Sequence, residues 1–158
     1  MKKKNNSGFT LIEVLITSAI MVVALVSTLG LFGYLLSAAG GDRSFTIAEY
    51  EAERQMETIL AIPYSDAKTT YTNNGALKVP PFTFDITGLS GKGVVYANEL
   101  PGTAGGLMRV KVVVCYRDKD RVIGEDTNFN GILDGGEDAN GNGELDSPCQ
   151  IETVLANK

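Results

Sequence analysis

The fold is decided by the apolar stretch FTLIEVLITSAIMVVALVSTLGLFGYLLSAA, residues 9–39, in which Glu13 is the single charged side chain. As an α-helix, the uncharged part from residue 14 to residue 39 would be about 39 Å long, whereas the hydrocarbon core of a bilayer is about 30 Å thick. Lysines at residues 2–4 precede the stretch, and positive charge keeps that end of a membrane helix in the cytoplasm. The sequence therefore predicts a membrane-spanning helix, with the chain after about residue 40 exported.

Glu13 distinguishes this stretch from an ordinary signal peptide or a plain membrane anchor. A signal peptide has an apolar segment of about 7 to 15 residues followed by a small-residue cleavage site, and this stretch is longer and lacks a clean site. A plain anchor has no need of a carboxylate inside its apolar run, where an unpaired charge is costly. We therefore expect Glu13 to be functional and to have a partner.

The segment GFTLIEVLIT, residues 8–17, resembles the class III signal of type IV pilins and type II secretion pseudopilins. It has their short basic leader, the Gly-Phe pair, the apolar run and a Glu at the fifth position after the cleavage site. The resemblance implies cleavage between Gly8 and Phe9 by a prepilin peptidase, followed by N-methylation of the Phe9 amine. It also implies that Glu13 pairs with the Phe9 amine of a neighbouring pilin subunit during assembly from the inner membrane.

The resemblance covers about residues 1–60, and the cadence AEYEAERQMETILAIPYSD after it resembles PilV-type minor pilins. Many pilins have a proline in the middle of this helix, whereas Gly30 and Gly33 occupy that zone here. Each glycine weakens a helix by roughly 1 kcal/mol. The run GGDRS, residues 40–44, predicts a break or kink before a second helical segment that Pro63 ends. In that segment the apolar residues follow helical spacing, which predicts one buried face, with Glu51 and the other charged side chains facing solvent.

Alternating apolar residues predict antiparallel strands at residues 82–86 and 107–117, with partners at 94–97 and 151–155. The strands at 82–86 and 107–117 are expected to be half-buried, with one apolar face in the core and a more polar face in solvent. In the strand at 107–117 the predicted apolar face consists of Met108, Val110, Val112, Val114 and Tyr116. The segment 65–80 is predicted to be a loop. The fold class is therefore α+β: a long N-terminal hydrophobic helix packed against a small antiparallel sheet, pilin-like, with a C-terminal calcium-loop segment. The expected divisions are a leader at 1–8, a helix at 9–62 (in the membrane or filament core to about 39) and a head at 63–158.

The net charge of −5 comes from one acidic segment, because residues 125–146 hold seven acids and neither lysine nor arginine. The rest of the chain is nearly neutral, so we expect no nucleic-acid partner. The chain has no histidine, which removes the commonest general base and the commonest zinc ligand. With no phosphate-binding loop or reactive-cysteine motif either, we expect a structural protein and not an enzyme.

Two tandem loops in the acidic segment, within residues 126–149, have the spacing of calcium-binding loops. The first fits the pattern D-x-[DN]-x-[DN]-G-x5-E, in which alternate oxygens face a hard cation, a glycine allows the turn and the last acid binds through two oxygens. The predicted Ca²⁺ ligands of the first loop are Asp126, Asn128, Asn130, the carbonyl of Ile132, Asp134 and Glu137.

The pattern restarts twelve residues later, but Cys149 takes the place of the last acid, so the second site is expected to be weaker or to borrow an oxygen from Glu137 or water. Its predicted ligands are Asp138, Asn140, Asn142, Glu144 and Asp146. Glycines and Pro148 do not favour flanking helices, and the tandem loops resemble the calcium repeats of dockerins and thrombospondin type 3 segments. The alternative is a solvated acidic linker.

Cys115 and Cys149 flank the acidic segment, and in an exported domain such a pair predicts a disulfide. The alternative is two free thiols. A C-terminal disulfide loop would also resemble those of pilin heads.

These features predict a minor pilin-like subunit, anchored in the inner membrane with an exported head and then assembled into an extracellular or periplasmic filament. The alternatives are a pseudopilin of a type II secretion system and a membrane-tethered calcium-binding module that does not polymerise.

Overall fold

The chain divides into two units, Met1–Gly40 and Gly41–Lys158. The computed structural model describes residues 10–73, 76–77, 82–103 and 105–157. The predicted leader at 1–8 and the predicted cleavage-site residue Phe9 lie outside the described residues.

Helix α1 spans Leu11–Leu60 and contains 50 residues. It begins where the hydroxyl of Thr10 accepts a hydrogen bond from the backbone N–H of Glu13, at 3.3 Å, which satisfies one of the free donors of the first turn. An 18-residue window of the helix has a mean hydropathy of 2.4, so α1 is long and apolar enough to cross a membrane. Its apolar side chains in the first unit are exposed.

The predicted break at residues 40–44 is wrong, because α1 continues through them. Each glycine costs a helix about 1 kcal/mol but still forms the backbone hydrogen bonds, whereas a proline would remove one. The composition of five residues was therefore a poor guide within a helix of this length.

In the second unit, one face of α1 packs against the sheet. Buried residues recur three and four positions apart, which is the spacing of one helical face and confirms the predicted pattern. Glu51 was expected to face solvent, but it is buried and forms an ion pair of 2.7 Å with Arg54. The apolar residues of this face are Ala48, Ala52, Met56 and Ile59.

The segment predicted to be a loop at 65–80 begins instead with helix α2, Tyr64–Tyr71, and continues into two short paired strands, β1 (Thr72–Asn73) and β2 (Ala76–Leu77). The carbonyl of Pro63 accepts the backbone N–H groups of Asp66 and Ala67, both at 3.0 Å, and so starts α2. Ala67 and Tyr71 lie one turn apart and are buried. Burial of this small face stabilises a helix whose sequence is otherwise polar. The rest of the predicted loop lies outside the described residues.

The main sheet is antiparallel and has five strands: β3 (Phe82–Asp85), β4 (Gly91–Glu99), β5 (Leu107–Asp118), β6 (Arg121–Ile123) and β7 (Gln150–Ala156). Strand β5 is central, since β4 pairs with it along one edge and β6 and β7 pair with it along the other. The four predicted strands are present, and β6 was not predicted. A long apolar helix with a small antiparallel sheet confirms the predicted α+β, pilin-like layout.

The face of β5 toward α1 is the predicted apolar one, with Met108, Val110, Val112, Val114 and Tyr116 buried. The opposite face was expected to be solvated, yet the described strand is buried on both sides over most of its length. The acidic C-terminal segment covers this second face. Leu145 is fully buried there in a second apolar cluster with Val94, Tyr96, Val113 and Cys115.

Candidate metal site in the C-terminal segment

The acidic segment consists of two consecutive twelve-residue repeats. The first repeat, residues 124–135, is GEDTNFNGILDG, and the second repeat, residues 136–147, is GEDANGNGELDS. They are identical at eight of twelve positions. The backbone repeats as well, because positive φ angles occur at the same three places. The pairs are Gly124 (102°) with Gly136 (97°), Phe129 (57°) with Gly141 (75°), and Gly131 (76°) with Gly143 (78°).

In the first repeat, Asp126 organises the turn. Its two carboxylate oxygens accept the backbone N–H groups of Asn130 at 3.1 Å and of Gly131 at 2.8 Å. The side-chain amides of Asn128 and Asn130 both donate to Oδ2 of Asp134, at 2.8 and 2.7 Å. The first repeat therefore brings its two aspartates and two asparagines together, as the spacing predicts.

The second repeat forms the same hydrogen bonds twelve residues later. Asp138 accepts the backbone N–H groups of Asn142 and Gly143, both at 3.0 Å. The side-chain amides of Asn140 and Asn142 donate to Oδ2 of Asp146, at 2.5 and 2.6 Å. The two repeats are therefore two copies of one small hydrogen-bonded structure.

Two glutamates connect the repeats crosswise. Glu137, the second residue of the second repeat, accepts the N–H groups of Thr127 at 2.8 Å and Asp134 at 3.1 Å in the first. Glu125, the second residue of the first repeat, accepts the N–H groups of Ala139 at 3.1 Å and Asp146 at 2.9 Å in the second. Each glutamate thus binds the fourth and eleventh residues of the other repeat.

Glu125 is the functional residue that the sequence interpretation missed. The second loop was expected to lack its final acid because Cys149 occupies that position, or to borrow an oxygen from Glu137 or water. In the structure, Glu125 accepts two backbone N–H groups of the second loop, as Glu137 does for the first loop. The repeated triplet Gly-Glu-Asp, at residues 124–126 and 136–138, was the available signal.

The oxygen atoms that could bind a metal in each repeat belong to carboxylate and amide groups, which suit a hard cation. Oδ1 of Asn128 accepts one backbone N–H, from Asn130 at 2.9 Å, and a carbonyl oxygen has a second lone pair. Within the described ranges, no group of three or more His, Cys, Asp or Glu side chains is close enough to form a metal cluster. Asparagines separate the acids, and both oxygens of Glu137 face backbone N–H groups.

Glu144 differs from the other predicted ligands, because its carboxylate faces the sheet. It forms an ion pair with Arg109 and accepts a hydrogen bond from Asn98 at 3.2 Å. The position equivalent to Glu144 in the first repeat is Ile132, which was predicted to contribute a backbone carbonyl. If this position binds a cation in the second repeat, the carbonyl is the available group.

Burial raises the pKa of Asp126, although the N–H groups of Gly131 and Asn130 oppose that change. Burial also acts to raise the pKa of Glu137, but hydrogen bonds from Thr127 and Asp134 lower it overall. In Asp146 the effect of burial is likewise outweighed, mainly by hydrogen bonds from Lys111 and Asn140, so its pKa is lowered. Hydrogen bonds and one lysine therefore favour the charged forms of Glu137 and Asp146.

The predicted disulfide is wrong, because Cys115 and Cys149 are free thiols on opposite faces of the sheet. The N–H of Val114 donates to the carbonyl of Cys149 at 2.9 Å, so Cys149 lies across from Val114. Its side chain joins the cluster beneath α1, whereas Cys115 faces the repeats. Burial raises the pKa of each thiol to about 11.

Noncovalent contacts attach the repeats to the sheet in place of a disulfide. The N–H of Leu145 donates to the hydroxyl of Tyr96 at 2.9 Å, and the hydroxyl of Ser147 donates to the carbonyl of Val114 at 2.7 Å. Gly131 lies so close to β3 that an added Cβ would be 2.4 Å from the methyl group of Thr83.

Residues 3–29 match the family model of the prokaryotic N-terminal methylation motif. The match contains the predicted processing residues Gly8 and Phe9 and the predicted assembly residue Glu13. It supports a prepilin signal of the kind that type IV pilins and pseudopilins have, and therefore a type IV pilin-like or pseudopilin subunit. No curated protein and no solved structure matches the chain.

Within this prepilin signal, Glu13 lies in the first turn of α1 and is exposed. The motif overlaps α1 from Leu11 onward, and this helix is long and apolar enough to cross a membrane. The prepilin signal and this helix fit anchoring in a membrane before assembly into an extracellular filament.

Proposed function

We propose that this chain is a minor pilin-like structural subunit that is incorporated into a type IV pilus or primes its assembly. A prepilin peptidase would cleave between Gly8 and Phe9, and the new Phe9 amine would be N-methylated. The observation that carries the proposal is the methylation motif at residues 3–29, most of which lies within the long helix α1 and its exposed apolar surface. An exposed apolar surface of this length needs either lipid or other subunits around it.

Glu13 is the proposed assembly contact within this surface. A carboxylate and an amine that are both in an apolar environment stabilise each other, whereas either one alone is costly there. The Phe9 amine of a neighbouring subunit would supply that positive charge. The pair would also fix how far one helix is shifted along the next.

Replacing Glu13 with Ala is expected to reduce incorporation into filaments by at least about tenfold, since loss of a buried charge partner costs more than 1.4 kcal/mol. Immunoblotting of sheared filaments against whole-cell protein measures the incorporated fraction. Glu49→Ala is the matched control, because Glu49 is an exposed acid of α1 outside the motif. Normal incorporation of E13A would contradict the assembly role of Glu13. Absence of both the wild-type chain and E13A from sheared filaments would favour a membrane-tethered module that does not polymerise.

A pseudopilin of a type II secretion system is the second candidate, because the same motif fits both kinds of subunit. The two differ in what deletion of the gene abolishes. A pilus subunit is needed for surface filaments, whereas a pseudopilin is needed for export of folded proteins.

We further propose that the exported head binds calcium through its acidic repeats. The support is the twofold recurrence of one hydrogen-bonded loop and its set of oxygen donors, in a chain that has no histidine. For the first loop, which begins at Asp126, the proposed ligands are Asp126, Asn128, Asn130, the carbonyl of Ile132, Asp134 and Glu137. Magnesium fits less well because it tends to keep its water ligands.

Calcium is expected to raise the melting temperature of the full chain in detergent micelles. Extracellular sites have dissociation constants of about 10⁻⁴ to 10⁻³ M, so about 10 mM CaCl₂ would stabilise the fold by roughly 1 to 3 kcal/mol. A rise of several degrees over the chelator-treated protein follows. Equal magnesium is the control. An unchanged melting temperature together with no heat of binding in calorimetry would contradict calcium binding.

A further inference from the structure

The two repeats differ in their contact with a basic side chain that lies outside both of them. Lys111, on β5, is only 4% exposed and lies beneath the second repeat. Its ammonium group forms an ion pair with Oδ1 of Asp146 and lies 3.4 Å from Oε2 of Glu144. It also lies 5.9 Å from the ring centre of Tyr96. One oxygen of Asp146, the final aspartate of the second repeat, is therefore paired with a buried positive charge.

Among the described residues, no cation is paired with a carboxylate of the first repeat in this way. Asp134 is the counterpart of Asp146, and none of the ion pairs found among the described residues includes it. Lys92 lies beside Gly131, but its ammonium group pairs with Asp85 at 2.7 Å. The guanidinium of Arg117 lies 5.5 Å from the ring centre of Phe129. The two loops therefore share their backbone conformation and their aspartate and asparagine ligands, but only the second has a lysine paired with its final aspartate.

We propose that Lys111 is the built-in cation of the second repeat, so that calcium binds the first repeat in preference to the second. This inference rests on the proposed calcium binding. The ammonium already neutralises part of the carboxylate charge that would attract a divalent ion, and the number of charged ligands tunes calcium affinity. A like charge at contact distance in a buried site also repels the ion.

We expect the same ion pair to hold the second repeat in place whether or not calcium is bound. It fixes Asp146, which in turn receives the amides of Asn140 and Asn142. Asp134 has only the equivalent amides, so order in the first repeat depends more strongly on a bound ion. Lys111 is thus a positioning residue whose charge sets the number of ions bound.

Lys111→Met tests this directly, because methionine keeps the length and apolar contacts of the side chain and removes its charge. Calorimetric titration of the full chain in detergent micelles with CaCl₂ is expected to give about one ion per wild-type chain and about two per K111M chain. In chelator, K111M is expected to melt below the wild-type protein, and calcium should recover most of that loss.

Arg109→Met is the matched control. Arg109 lies on the same face of β5 and pairs with Glu144 and Glu152, but does not contact Asp146. Its removal should leave the number of bound ions unchanged. Lys111→Gln is a second variant in case K111M folds poorly, since glutamine keeps a hydrogen-bond donor and should also gain the second ion.

Two results would overturn the inference while leaving calcium binding intact. One is a wild-type chain that binds two ions with equal affinity. The other is a K111Q chain that is folded and still binds one. If neither the wild-type chain nor the variants released or absorbed heat with CaCl₂, the inference and the proposed calcium binding would both be wrong.

Discussion

Leu145→Ala is expected to lower the free energy of unfolding by about 2 to 5 kcal/mol, the range for truncation of a fully buried leucine. Leu145 is 0% exposed and is the apolar side chain through which the second repeat enters the cluster on the outer face of the sheet. Its truncation leaves a cavity next to Val94, Tyr96 and Val113. Because this cluster is small, little else is available to fill the space.

Urea unfolding of the full chain in detergent micelles, in chelator, measures this loss. Leu133→Ala is the matched control, since Leu133 occupies the same position of the first repeat but is only partly buried against the cluster. It should cost clearly less than L145A. Equal losses would mean that the two repeats contribute equally to the packing, contrary to their different burial.

Asp126→Ala is the second change with a large expected effect, at about 1 to 3 kcal/mol, the cost of one buried donor that loses its partner. Asp126 is 0% exposed, and both of its oxygens accept backbone N–H groups, from Asn130 and Gly131. The N–H of Gly131 would lose its partner, whereas that of Asn130 would keep Oδ1 of Asn128. The more exposed Asp138 makes the equivalent bonds, so Asp138→Ala should cost less because water can replace the carboxylate.

Asp126→Asn separates the structural contribution of this residue from its proposed ligand role. Asparagine keeps an acceptor for a backbone N–H but removes the charge. D126N should therefore retain most of the stability measured in chelator and lose most of the stabilisation by calcium. If calcium stabilised D126N as much as the wild-type chain, Asp126 would not be a ligand.

The continuous apolar run was enough to predict the membrane-length part of α1. Periodicity was enough to predict the later part of that helix, the four main strands and the face of β5 that packs beneath α1. Two predictions that rested on short local composition were wrong. Glycines at 40 and 41 do not interrupt α1, and residues 64–71 form a helix because Ala67 and Tyr71 are buried.

The candidate site was predictable in its composition but not in its connections. The spacing from Asp126 predicted which side chains converge in each loop, with Glu144 the exception. The role of Glu125 and the presence of Lys111 depend on which residues fold onto the repeats from elsewhere. The cysteine prediction was wrong for the same reason, since the face that Cys149 occupies is set by its register with Val114.

Because of the crosswise glutamates, each of the two repeats depends on the other for its structure. If one repeat of twelve residues were deleted, the remaining glutamate would have no partner loop and the remaining loop would have no glutamate. Neither repeat is therefore a spare copy of the other.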